Sequence, residues 1–406
     1  MDGAASSVAP GAAHPALSWD ALLPILAEAP RENGTAALAL AAEQLEAALR
    51  AAGLEPVLIP FAAHPYALRL AGVVALAGAV LYGRLLRGGR AALALLVAVA
   101  IPAAILLDLE RGWPVFSWLH TWPQHHVSAT VPAAGEPVQR LLVTAHYDTK
   151  TDLLDHVARA PVEAASAPVT LLMVLAAVLA WLGPRRRRGA ERARRALVAA
   201  TPWLALASGL AFFATLSAGA FLPERSPGAL DDGGACAVAA RLAERIARAP
   251  LARTELEVLL LSGEEVGTQG ALVLARERFA VPPALPTAVV NLEILGAAPD
   301  LAALATERFT LRSFRADPRL VALADEVHRE RRGTPLHLLG GGVTDARAFL
   351  ARGVAALTLV SDAPGHPPAR GLHSAADDRS RLDTAALEEH LAFLEDLARR
   401  IDRIGP

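Results

Sequence analysis

The sequence predicts an α/β fold, with a mainly parallel sheet and helices on both of its faces, and four transmembrane helices in two hairpins. Three observations lead to this prediction. Short apolar runs typical of strands alternate with helical patterns, which favours a parallel sheet. Four longer apolar segments occur in two pairs. Histidines and carboxylates follow several strand candidates, and open α/β sheets build their sites at those strand ends.

Composition narrows the class of protein. The chain has 406 residues, of which 53% are hydrophobic, a share that is high for a soluble enzyme and low for a pure transporter. The formal net charge of −2 gives no indication of a nucleic-acid partner. The single cysteine, Cys236, excludes an intramolecular disulfide framework. The length leaves room for a catalytic domain and for a second part, which the apolar segments form.

The apolar segments form two hairpins. They are Leu70–Tyr82 with Ala91–Leu107, and Ala167–Gly183 with Ala196–Leu222. The last three approach or reach the length that crosses a ~30 Å hydrocarbon core. The first does so only if its ends are extended past Arg69 or Arg84, whose side chains would then reach to the membrane surface. None contains Asp, Glu or Lys, which argues against a substrate pathway through them. Buried Ala-rich helices are the alternative, above all for the first segment.

Both hairpin turns are rich in arginine. The first turn carries Arg84, Arg87 and Arg90, and the second carries the run Arg185–Arg188 with further arginines up to Arg195. Short loops with positive charge stay in the cytoplasm. The two turns therefore agree in predicting an integral membrane protein whose remaining chain is extracytoplasmic.

The rest of the chain supplies the sheet. A helix from Thr35 to about Gly53 precedes a short strand, Leu54–Pro60. Further strand candidates are Arg140–Ala145, Glu257–Ser262, Ala288–Leu292 and Val354–Val360, with helices over Gly233–Ala249 and around residues 387–401.

Groups that bind metals follow these strands. His146 and Asp148 stand after the first candidate, Glu264 and Glu265 after the second, and Glu293 after the third. Because parallel strands present their carboxyl ends at one edge, these side chains should converge. Two adjacent buried carboxylates repel each other, so either a solvated strand end or a bound cation is needed.

Two further candidates complete the set, the pair Asp231-Asp232 and His373. Histidine and carboxylate ligands without cysteine suit zinc, cobalt or manganese in a catalytic site. Five such ligands, one of them a bridging carboxylate, are enough for two metal ions. Asp148, two residues after His146, is placed to orient that imidazole.

Five motifs in order resemble peptidase family M28, the metallo-aminopeptidases. They are His146-Tyr-Asp148, Gly228-Ala-Leu-Asp-Asp-Gly233, Gly263-Glu-Glu-Val-Gly267, Asn291-Leu-Glu293 and Leu372-His-Ser-Ala-Ala-Asp377. Arg31–Thr35 resembles the opening of that family, and Gly340–Asp345 resembles a loop that lies near its metals. The resemblance covers essentially all of the chain outside the apolar segments.

The resemblance implies a zinc-exopeptidase fold, a peptide substrate and two divalent metal ions, with zinc expected. It implies the metal ligands His146 and Glu293 on one ion, Glu265 and His373 on the other, and Asp231 as the bridge. Glu264 would be the catalytic general base acting on a metal-bridging water, and Asp148 the second catalytic residue. The family more often has Asp at the position of Glu293.

The predicted organisation interleaves peptidase and membrane parts. Residues 1–65, 111–166 and 223–406 form the peptidase domain, and residues 66–110 and 167–222 form the two transmembrane hairpins. The second hairpin separates His146 from Asp231, which predicts an active site near the lipid bilayer. The sequence sets no oligomeric state.

Two other readings stay open, a glutaminyl cyclase-like acyltransferase and an inactive membrane scaffold with a peptidase fold. The string His146–Lys150 is shared with glutaminyl cyclases, whereas the retained Glu264 argues against the scaffold. Seven histidines are not assigned to the site. His120, His125 and His126 lie in a tryptophan-rich interfacial stretch, and His156, His328, His337 and His366 are read as surface or loop residues.

Overall fold

The structure is a computed structural model that describes residues 16–111, 113–183, 188–363 and 369–404. Most of the arginine run in the second turn, and also His366, lie outside these residues. The helices are α1 Trp19–Ala27, α2 Ala36–Ala51, α3 Ala67–Arg87, α4 Ala91–Arg111, α5 His156–Trp181, α6 Arg188–Leu216, α7 Gly234–Arg248, α8 Gln269–Arg278, α9 Pro318–Arg332, α10 Ala346–Leu350 and α11 Thr384–Ile404. The strands are β1 Pro56–Ala63, β2 Trp122–Val131, β3 Gln139–His146, β4 Thr254–Leu261, β5 Thr287–Glu293, β6 Asp300–Phe309, β7 Arg312–Arg315, β8 His337–Gly342 and β9 Ala355–Asp362.

Within the described ranges, nine strands form one sheet in the order β1-β2-β4-β3-β5-β9-β6-β7, with β8 paired to β6. The four central strands β4, β3, β5 and β9 are parallel, whereas β1, β2, β6 and β7 join by antiparallel pairing. The central strands are near-continuous apolar runs because both of their faces are covered. The α/β fold class is confirmed, with a parallel centre and mostly antiparallel margins.

Helices pack on both faces of the sheet, as the sequence predicts. On one face, α1, α2, α7 and α11 share a core with the strands, in which α7 buries Val238, Leu242 and Ile246. On the other face, α8 and α10 pack Leu274 and Phe349 against β3 and β4. The strands β2, β6, β7 and β8 were not predicted. In β2 and β7, polar and aromatic residues obscure the alternation that marks a half-buried strand, and β8 ends in three glycines.

Among the described residues, four helices are long and apolar enough to cross a membrane, namely α3 to α6. They contain 21, 21, 26 and 29 residues. The first is therefore longer than the segment Leu70–Tyr82 suggested, and α5 begins at His156, well before Ala167. The longer helices also take in charged residues near their ends, such as Asp108 in α4.

The helices α3 to α6, called the helix bundle below, contact the rest of the protein at the start of α3. The Arg69 guanidinium donates to the backbone oxygens of Thr151 (2.5 Å) and Leu216 (3.1 Å), and it pairs with Asp152 at 3.1 Å. The Ser217 hydroxyl donates back to the Arg69 oxygen at 2.7 Å. The Arg69 side chain therefore ends in contacts within the protein, where Asp152 balances its charge. This junction holds α3 and the end of α6 against the loop that follows β3.

Candidate metal centre

The predicted site residues converge at the carboxyl edge of the sheet. His146 ends β3, Glu293 ends β5, and Glu264 and Glu265 follow β4. Parallel pairing sets these strand ends side by side. The remaining two arrive from other elements, since Asp231 lies in the turn before α7 and His373 in the loop before α11.

Asp231 lies between the two histidines. Its Oδ1 atom is 3.1 Å from His146 Nε2, and its Oδ2 atom is 3.1 Å from His373 Nε2. On the outer sides, Glu293 Oε1 is 3.5 Å from His146 Nε2 and Glu265 Oε1 is 3.0 Å from His373 Nε2. The five predicted ligands thus form two groups that share one carboxylate.

Hydrogen bonds fix which ring nitrogen of each histidine faces the carboxylates. His146 Nδ1 lies 3.1 Å from the backbone oxygen of Asp148, and His373 Nδ1 lies 2.8 Å from Asp152 Oδ2. Both partners are acceptors, so each Nδ1 carries the proton and a neutral ring turns the lone pair of Nε2 inward. A lone pair facing carboxylate oxygens needs a cation, or a second proton on the ring, between them.

The charge balance of the centre also fits a cation. Burial, together with neighbouring carboxylates, raises the pKa of Glu293 to about 7 and that of Asp345 to about 8. Within the described part of the chain, His146 Nε2, Glu265 Oε1 and Glu293 Oε2 are buried without a hydrogen-bond partner. Buried polar atoms of this kind are rare unless an ion or water completes them, so the residues present fit divalent metal ions.

The carboxylate of Asp148 supports the backbone of Glu264 and Glu265 rather than the imidazole of His146. Its Oδ1 accepts from the Glu264 amide (3.3 Å) and its Oδ2 from the Glu265 amide (3.0 Å). The Asn33 side chain donates to Oδ2 at 2.6 Å. The contact with His146 is made by the backbone oxygen of Asp148, because the carboxylate lies 3.6 Å away from Nδ1.

Two further aspartates hold the turn that carries Asp231. Asp232 accepts from the His146 amide (3.3 Å) and the Ile294 amide (2.9 Å), which ties this turn to β3 and β5. Asp377 accepts from the amides of Leu230 and Asp231 at 3.0 and 3.2 Å. The peptide bond between Asp231 and Asp232 is cis. The turn is thus positioned by backbone hydrogen bonds on both sides of Asp231.

Glu264 stands beside the groups without belonging to either. Its Oε2 atom is 4.0 Å from His146 Nε2, and its side chain is 13% exposed, in contrast to 4% for Glu265. Burial raises the pKa of Glu264 well above its ordinary value. A carboxyl group in this place reaches both the centre and the solvent side.

Sequence reasoning missed Asp152 and His156. Asp152 orients His373 and is fully buried among Lys150, Arg69 and Arg159, at 2.7, 3.1 and 3.5 Å. His156 was read as a surface or loop residue, and this is wrong, because its Nε2 atom lies 3.2 Å from that of His373. The available signal was their position in the loop after His146. His328, read in the same way, is also buried.

Comparison with known proteins gives a family match and similar folds. The family model described as peptidase family M28 matches residues 215–398. No curated protein matches the chain. Similar folds occur in a Zn-dependent exopeptidase from Parabacteroides distasonis and a glutaminyl cyclase from Tannerella forsythia. Both are 12% identical, with TM-scores of 0.54 and 0.55, and the alignments cover 96% and 95% of this chain and 99% of each of those chains.

A third similar structure is the aminopeptidase from Aneurinibacillus sp. strain AM-1, with 16% identity and a TM-score of 0.42. The alignment covers 69% of this chain and 48% of that one, so the chain spans about half its length. Identities this low establish the fold alone. The two structures with TM-scores above 0.5 show an α/β fold like that of the zinc exopeptidases. The match of residues 215–398 to the model of peptidase family M28 is in line with the motifs.

Proposed function

We propose that the chain is a membrane-anchored exopeptidase that uses two divalent metal ions, with zinc expected, to remove N-terminal residues from peptides. One observation carries this proposal: the two oxygens of Asp231 each face the Nε2 atom of a different histidine at 3.1 Å. A carboxylate shared in this way holds two cations side by side. The Zn-dependent exopeptidase among the similar structures supports the same reading.

The side chains divide between the two ions. His146 and Glu293 would hold one ion, His373 and Glu265 the other, and Asp231 both. When bound, such ions polarise the scissile carbonyl and lower the pKa of the attacking water. The hydrogen bonds that His146 Nδ1 donates to the Asp148 backbone oxygen and that His373 Nδ1 donates to Asp152 keep both imidazoles in the tautomer that binds a metal.

Glu264 is the proposed general base. Its carboxylate lies next to both groups, while the amide hydrogen bonds to Asp148 fix the backbone on which it stands. It takes a proton from the attacking water and delivers it to the amine that leaves as the peptide bond breaks. Asp148 acts through this positioning.

A glutaminyl cyclase-like acyltransferase is the second candidate. The glutaminyl cyclase from Tannerella forsythia has a similar fold, and the string His146–Lys150 resembles that class. In this chain the Lys150 amine is engaged by Asp152 at 2.7 Å, where it neutralises the carboxylate that orients His373. The five ligand positions, all present together with Asp232, favour the peptidase, and the substrate panel below separates the two.

The helices α3 to α6 are proposed to cross a lipid bilayer, with the peptidase part, residues 1–65, 111–166 and 223–406, on the extracytoplasmic side. The turn at Arg84–Arg90 lies at the end of α3 opposite to the Arg69 junction, which places arginines and active site at opposite ends of that helix. In a Cys236→Ala background, an impermeant thiol reagent should label Glu136→Cys and not Arg90→Cys on intact cells. Labelling of Arg90→Cys alone would reverse the orientation.

The enzymatic proposal is tested with detergent-purified protein. A panel of aminoacyl-anilides and N-terminal glutaminyl peptides is offered to the metal-loaded and the chelated protein, and to Glu264→Gln. We expect chelator-sensitive release of amino acids, and a fall in kcat of about 10²- to 10⁴-fold in Glu264→Gln with both metal ions retained, because only the proton transfer is lost. The exposed Glu277→Gln is the matched control.

Three other outcomes would contradict the proposal. Pyroglutamate formation without hydrolysis would move the chain to the cyclase class. Full activity in Glu264→Gln would remove the general base. Metal binding with no turnover of any substrate in the panel would favour the inactive scaffold.

A further inference from the structure

His156 lies against the metal centre although it belongs to a candidate membrane helix. It is the first residue of α5, and its Nε2 atom is 3.2 Å from His373 Nε2, with the two ring planes at 87°. His156, Asp231 and His373 each present one ligand atom within 4.8 Å of the other two. Neither the family motifs nor the sequence pattern assigns a role to this residue.

The start of α5 is fixed to the loop that carries His373. Asp155 caps the helix, since its Oδ1 accepts from the Ala158 amide at 2.7 Å, while its Oδ2 accepts from the Gly371 amide at 3.0 Å. The Arg159 guanidinium, one turn further along α5, is 3.5 Å from Asp152 Oδ2. Contacts on both sides of His156 therefore hold its ring at the centre.

The distances suit ligands of one ion. Two atoms bound to zinc at about 2.0–2.1 Å in tetrahedral geometry are roughly 3.3–3.4 Å apart. Around His373 Nε2, the atoms Asp231 Oδ2, Glu265 Oε1 and His156 Nε2 lie at 3.1, 3.0 and 3.2 Å. All four atoms carry lone pairs, and those of His156, Asp231 and His373 lie within 4.8 Å of one another.

A direct hydrogen bond between the two histidines is the competing explanation. It would occupy the lone pair of His373 Nε2, which is available because Nδ1 donates to Asp152. Glu265 Oε1 would then stay buried without a hydrogen-bond partner among the described residues, at a cost of about 1–3 kcal/mol. A shared cation satisfies both histidines and the glutamate together.

We propose that His156 is a ligand of the metal ion held by His373 and Asp231, so that α5 supplies a donor to the centre. This inference rests on the proposed function for the presence of the ion. It gives the helix bundle a role beyond anchoring, because metal binding then ties α5 directly to the peptidase fold.

The test measures metal binding in the full-length protein in detergent. Zinc affinities come from competition with a chromophoric chelator, and the Co²⁺-substituted protein gives an absorption spectrum that reports its ligands. The variants are His156→Ala and His156→Gln. His337→Ala is the matched control, because His337 is an exposed histidine whose ring lies within hydrogen-bond distance of Asp362. His156→Gln keeps size and hydrogen bonding but is a poor zinc ligand.

We expect both His156 variants to weaken one of the two zinc sites by more than roughly 100-fold, beyond the ~10–100-fold typical of residues that only orient a ligand. The Co²⁺ spectrum should change in both and stay unchanged in His337→Ala. Wild-type affinity and spectrum in His156→Gln would overturn the proposal in favour of the hydrogen bond, and this variant decides the matter if His156→Ala does not fold.

Failure of the proposed function would look different. A wild-type protein that binds two ions and hydrolyses no peptide would remove the exopeptidase while leaving the affinity comparison intact. A wild-type protein that binds no metal ion would overturn both proposals.

Discussion

The two halves of the candidate metal centre are built differently. The His146 half, formed by His146 and Glu293, comes from two adjacent parallel strands, and its imidazole is oriented by a backbone oxygen. The His373 half, formed by His373 and Glu265, takes its orienting carboxylate from Asp152 in the loop after β3. That loop is held by the helix bundle.

The two halves also differ in the charged residues around them, because cations surround the Asp152 carboxylate that orients His373. Against the effect of burial, Lys150, His373 and Arg69 hold the pKa of Asp152 well below its usual range. Arg69 belongs to α3 and Arg159 to α5, so two candidate membrane helices place positive charge beside the carboxylate. The His146 half depends on the sheet, whereas the His373 half depends on the junction between the sheet and the bundle.

The largest expected difference between the halves follows from Asp152→Asn. An amide accepts a weaker hydrogen bond from His373 Nδ1 and leaves the charges of Lys150 and Arg69 unbalanced. We expect zinc affinity of the His373 half to fall by about 10–100-fold, with the His146 half unchanged. Competition titrations that resolve two zinc sites make the measurement, and Asp300→Asn, at an exposed ion pair with Arg332, is the control. Equal weakening of both sites would show that the halves are not independent.

The second prediction concerns how the stability of the metal-free protein depends on pH. Burial raises the pKa of Asp345 to about 8, so the folded state keeps this proton more firmly than the unfolded state. Its contribution to stability is complete below the ordinary aspartate pKa and is lost as the pH rises through about 8. We expect the Tm of the chelated protein to fall over that range.

Asp345→Asn should flatten this dependence, because an amide does not titrate, and added zinc should reduce it by favouring the charged carboxylates. The measurement is thermal unfolding in detergent across the pH range, with and without chelator. A Tm of the chelated protein that rises toward pH 8 would contradict the assignment.

The smallest expected effect concerns Asn33, which supports the glutamate pair from the N-terminal segment. Asn33→Ala removes a donor to the buried Asp148 carboxylate, at 2.6 Å in the native protein. We expect a loss of about 1.5–3 kcal/mol in the free energy of unfolding, the range for a hydrogen bond to a charged group. Denaturant unfolding measures it, with the exposed Gln44→Ala as the control. The helix bundle should not respond, because the Asn33 side chain donates to Asp148 and not to the carboxylate that pairs with Arg69 and Arg159.

Sequence reasoning anticipated the parallel centre of the sheet and the convergence of His146, Glu265 and Glu293, because strand ends in a parallel sheet are set by local pattern. It did not anticipate β2, β6, β7 or β8, of which β2 and β7 carry mainly polar and aromatic residues. Asp152 and His156 escaped it for another reason. Their roles depend on contacts with His373, which is more than two hundred positions away in the sequence. The periodicity of neighbouring residues carries no information about such contacts.

Counting the metal ions bound to the wild-type protein and to Asp231→Ala tests the central claim most directly, since Asp231 is the side chain common to both halves. Elemental analysis of protein purified in detergent and freed of loosely bound metal gives the number per chain. We predict two ions in the wild type and the loss of both from Asp231→Ala at the same free zinc concentration. A wild-type protein without bound metal, or an Asp231→Ala protein that keeps two ions, would contradict the account.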